Sequence, residues 1–89
     1  MAVEMAAAPA PAHESNPALF HITERASKSE LAAPDIRAKL ELIGPDAAWP
    51  ERVELEATLG YALLKSAQPD VPAAGTAFCA ALDHTPTAD

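Results

Sequence analysis

Between Trp49 and Ala67 runs the longest stretch compatible with one helix, and its apolar positions fall on two sides rather than one. Wound at about 3.6 residues per turn, Val53, Ala57, Gly60, Leu64 and Ala67 form one stripe. Leu55, Leu59 and Leu63 form a second, roughly opposite, and Glu51, Glu54, Thr58 and Lys65 fill the polar wedge on one side between them. A helix with two apolar stripes is central: its own chain packs on both flanks, or on one flank with a partner on the other.

Shorter elements surround it. Asn16-Pro17 offers an N-cap followed by a first-turn proline. In the Ala18–Ser27 segment that follows, Leu19, Phe20, Ile22 and Ala26 fit a helical stripe, and Leu19, His21 and Thr23 against Phe20, Ile22 and Glu24 fit an alternating strand. Helix is favoured, because the chain holds no second strand for it to pair with. Ser27 to Glu30 has the Ser-x-x-Glu form of a capping box, with Leu31 next. Asp35–Ile43 is the clearest short helix, with Ile36, Leu40 and Ile43 on one face and the i,i+4 pairs Asp35–Lys39 and Arg37–Glu41 on its wet sides. Gly44-Pro45 stops it, and the short link to Trp49 implies antiparallel neighbours. Gln68-Pro69 closes the long helix, Asp70 caps the next, and Pro72 opens a last helix over Ala73–Leu82 with Val71, Ala74, Phe78, Ala81 and Leu82 on one side. Gly60 and Gly75 raise the prospect of a close helix crossing.

The pattern therefore predicts an all-α fold, a small bundle of three or four helices. Residues 1–16 form an Ala/Pro-rich, disordered arm, 17–83 the helical domain and 84–89 a flexible tail. Composition sharpens this. Of the 89 residues, 49% are hydrophobic, but alanine dominates and large core-filling side chains are scarce. A core this small rarely supplies more than about 3–5 kcal/mol, so marginal stability or help from a partner is expected.

Charge narrows the partners. The chain carries −7 overall, but its two ends, before Pro17 and from Asp83 on, hold four acids and no base; the middle sets six bases against nine acids. Phosphate recognition needs clustered Lys and Arg, so nucleic acid is not an expected partner. The helix pair around Gly44 is no helix-turn-helix reader either, because its second helix opens with Glu51, Glu54 and Glu56. No run approaches the roughly 20 apolar residues of a membrane span, and the first dozen residues lack the basic start of a signal peptide. A single cysteine, Cys79, permits no internal disulfide and fits a reducing compartment, so a cytoplasmic setting is expected.

Candidate chemistry is thin. His13, His21 and His84 are scattered, and the His21–Glu24 pair would need further ligands to hold zinc. Cys79 and His84 stand five apart and point in different directions on one helix, and no oxyanion site accompanies them. Glu51, Glu54 and Glu56 read as a solvated face. No metal, cofactor or catalytic residue is expected. The expected function is that of a non-catalytic, acidic helical interaction module, an accessory subunit, adaptor or inhibitor that binds another protein or a second copy of itself. Its candidate contact residues are Leu55, Leu59 and Leu63, with Trp49 and Tyr61. A small-molecule carrier and a small enzyme using Cys79 are the alternatives.

Overall fold

A computed structural model describes residues 16–86; most of the Ala/Pro-rich arm and the end of the tail, and with them the expectation of disorder there, lie outside the described residues. The described residues form four helices: α1 (Pro17–Ser27), α2 (Ala33–Ile43), α3 (Trp49–Lys65) and α4 (Val71–His84). No strand occurs among the described residues. The chain is all-α.

Each boundary has a local cause. Asn16 is extended, and its carboxamide oxygen accepts from the Ala18 N–H at 3.1 Å while its Nδ2 donates to the Pro86 carbonyl at 2.8 Å. One side chain thus caps α1 and ties it to the far end of the body. Ile22 and Ala26, four apart, are buried, and the segment that also fitted a strand is a helix.

The capping box does not form. Ser27 ends α1, with its hydroxyl donating to the Glu24 carbonyl, and the chain reaches Ala33 before turning helical again. Pro34 dictates this: lacking an N–H and clashing with the carbonyl four residues back, it fits only the first turn of a helix. Lys65 holds the resulting connection by donating to the carbonyls of Ser27 and Ser29, both at 3.0 Å. In α2 the pairs Asp35–Lys39 and Arg37–Glu41 do not close into salt bridges. Burial of Ile36, and partial burial of Leu40 and Ile43, holds the helix in place. Gly44 ends it at φ +70, a conformation that a Cβ would resist.

The central helix stops at Lys65, two residues short of the expected Ala67. Pro69 is the reason: its ring would strike the carbonyl of Lys65 if the helix continued, and it pushes Gln68 out of helical geometry. Asp70 then caps α4 by accepting from the Ala73 N–H at 3.1 Å. This helix outruns its expected end at Leu82, continuing through Asp83 to His84, and Thr85 is buried with its hydroxyl on the Ala81 carbonyl at 2.7 Å.

All the extensive helix pairings involve α3. On one side, Val53 and Ala57 join Ile22 and Ala26 of α1 and Ala81 of α4 in the buried core, with Leu19, Trp49 and Tyr61 packed around it. On the other lies α2. The two-striped helix is central, as its pattern implies. The two glycines part company: a Cβ on Gly60 would meet the Phe78 ring at 2.7 Å, whereas one on Gly75 would meet nothing within 4 Å. Gly60 marks the tight crossing of α3 and α4, and Phe78 sits edge-on to Tyr61 with ring centres 5.0 Å apart.

Candidate functional site

The five expected contact residues occupy three environments. Leu63 is buried at 8% exposure. Leu59, half-buried, lies in a cleft it shares with Leu40 of α2 and Ala73 and Ala77 of α4. Trp49 and Tyr61, also half-buried, pack against the main core. Leu55, also half-buried, lines a different surface groove.

That groove, about 450 Å³, runs between α2 and α3. Leu55 and Ile43 are its half-buried apolar lining, and Leu31 and Leu42 stand at its rim, 41% and 87% exposed. Leu42 is the most exposed large hydrophobic side chain among the described residues. It falls outside the Ile36, Leu40, Ile43 stripe that docks α2, so packing among the described residues does not account for it. Glu51 and Glu54 supply acid on the α3 wall, and Lys39 faces them from α2. Glu54 already holds Arg25 of α1 at 3.0 Å, and this hydrogen bond, with the charge behind it, raises the Arg25 guanidinium above its ordinary pKa. Glu51 has no salt-bridge partner among the described residues. At Ser29 and Leu31 the groove meets a second cleft of about 420 Å³, lined by Pro34, Ala62 and Lys65.

A second polar cluster departs from expectation. Glu56, read from the sequence as part of a solvated face, is only 7% exposed. Its Oε1 lies 2.9 Å from Nδ1 of His84 at the end of α4, and its Oε2 lies 3.9 Å from Arg52 one turn back. Arg52 in turn donates to the Gly44 carbonyl at the end of α2. The carboxylate thus joins the ends of two helices to the middle of a third. Helical geometry contains the signal: at about 100° per residue Glu56 sits roughly 60° from both Val53 and Leu59, between the two stripes and away from the polar wedge. A carboxylate buried this deeply needs polar partners, and Arg52 and His84 provide them.

Elsewhere, His21 is exposed and Cys79 is exposed and free. Among the described residues no three His, Cys, Asp or Glu side chains converge as metal ligands, and no helix is long and apolar enough to cross a membrane. The chain matches no protein-family model, no curated protein and no solved structure.

Proposed function

We propose that this chain is a non-catalytic helical interaction module, an accessory subunit, adaptor or inhibitor, and that it binds another protein through the groove between α2 and α3. The observation that carries this reading is Leu42, 87% exposed at the rim of an apolar groove that continues inward through Leu55. An exposed leucine contributes to binding when a partner closes over it and removes its apolar surface from water. A fully covered leucine contributes about 1.5–3 kcal/mol relative to an exposed one. The net charge of −7 adds long-range steering and discourages non-specific self-association.

The test compares tagged wild-type chain with Leu42→Glu, both expressed in the native cell and recovered under mild conditions. The expected result is a stoichiometric companion protein held by the wild type and lost from the variant, with the two chains showing the same helicity and melting temperature. If no companion depends on Leu42, the reading fails.

A further inference from the structure

Resting on the groove reading above, we infer that the partner presents a basic amphipathic helix, seated lengthwise along α3 with its apolar face over Leu31, Leu42 and Leu55. Shape argues for a helix. The groove and the cleft that joins it at Ser29 and Leu31 follow α3 from Glu51 to Ser66. At a rise of about 1.5 Å per residue that trough is roughly 22 Å long, the length of about four helical turns. Leu31, Leu42 and Leu55 come from different elements and line the groove, and Pro34 and Ala62 line the cleft beyond it, so a ligand that covers both spreads along the trough, which suits anchors at i, i+3 or i+4 and i+7.

Charge argues for a basic one. Glu51 lies on the α3 wall beside Leu55 and Glu30 in the adjoining cleft, and neither has a salt-bridge partner among the described residues, whereas Glu54 is held by Arg25 and Lys65 by the carbonyls of Ser27 and Ser29. Lysine or arginine on the flank of the incoming helix that faces α3 answers Glu51. Lys39 on the α2 wall leaves a place for an acidic or neutral residue on the opposite flank, which fixes the direction in which the helix lies. A second copy of this chain is a poor occupant, since each brings a charge of −7.

The experiment displays a randomised library of helical peptides, each about 18 residues long, against the immobilised full chain at low salt, with Leu42→Glu for counter-selection. Survivors are then measured by fluorescence anisotropy against wild type, Leu42→Glu and Glu51→Lys, each checked for helicity. The expected survivors carry apolar residues at helical spacing and more Lys and Arg than Asp and Glu. Their affinity should drop at least tenfold on Leu42→Glu, although that change adds negative charge, and at least threefold on Glu51→Lys. Survivors that need Leu42 but carry no basic excess overturn the basic occupant while leaving the groove reading in place. An absence of Leu42-dependent survivors overturns both. A dimer in sedimentation that Leu42→Glu disperses places a second copy in the trough and also overturns the inference.

Discussion

Substituting Gly60 and Gly75 separately by alanine makes the same chemical change on two helices in opposite surroundings. In an open helix interior, Gly→Ala stabilises by about 0.8–1 kcal/mol, because alanine gives up less backbone freedom on folding. Gly75 meets that condition: it is exposed and a new Cβ has nothing within 4 Å. Gly60 does not. There the new Cβ would lie 2.7 Å from Cε1 and Cζ of Phe78 and 2.9 Å from Cδ1. Carbon atoms rest about 3.5–4.0 Å apart, so the ring or the whole of α4 must retreat by nearly an ångström. Overpacking of this kind costs about 1–3 kcal/mol. The retreat also loosens the edge-on contact with Tyr61, an arrangement worth about 0.5–1.5 kcal/mol. Against a helix gain of about 1 kcal/mol, Gly60→Ala should end roughly 2 kcal/mol below wild type and about 3 below Gly75→Ala. In a domain this small, about 1 kcal/mol moves the melting temperature by about 4–8 °C, so thermal and urea melts followed by circular dichroism will separate the two variants by more than 10 °C. Phe78→Leu in the Gly60→Ala background should recover part of the loss. Gly60→Ala as stable as Gly75→Ala, or more so, would refute the close approach of α3 and α4.

Two further outcomes follow from the polar contacts. Asn16→Ala removes the α1 cap and the bond to the Pro86 carbonyl together; the expected loss is about 0.5–2 kcal/mol, read in the same melts, with faster hydrogen exchange in the first turn of α1. Glu56→Ala leaves Arg52 and the His84 end of α4 without their shared carboxylate. Removing one partner of a buried pair costs about 3–5 kcal/mol; here the 48% exposure of the His84 side chain lets water take its place, so roughly 1–2 kcal/mol is expected, and His84→Ala should cost less than Glu56→Ala. Equal, negligible losses in both would show that the cluster holds nothing together.

Much of the fold is legible from spacing and punctuation. Asn16-Pro17, Gly44-Pro45 and Asp70-x-Pro72 mark ends that the structure keeps, because each rests on chemistry within a few residues: a side-chain cap, a positive φ, a ring that fixes φ. The errors come where one local signal competes with another. Ser27 and Glu30 spell a capping box, but Pro34 cannot sit in the second turn that such a helix would require, and α2 starts at Ala33. Long-range packing is harder to read. That Glu56 is buried follows from its angle on α3 only once α2 and α4 are known to close over that side, and the isolated exposure of Leu42 depends on which face of α2 docks. The stripe of Leu55, Leu59 and Leu63 is correctly placed on one side of the helix, but its members are shared among the groove, an inter-helix cleft and buried packing.

The bond from Asn16 to the Pro86 carbonyl has a consequence for how this body can be joined to other things. It brings the point where the chain enters the bundle beside the point where it leaves. A segment attached upstream and one attached downstream therefore depart from a single doorway, and the whole unit could be spliced into an exposed loop of a host protein without prising that loop apart. Tags or fusions joined directly at Asn16 and Pro86 crowd the same spot, next to the α1 cap.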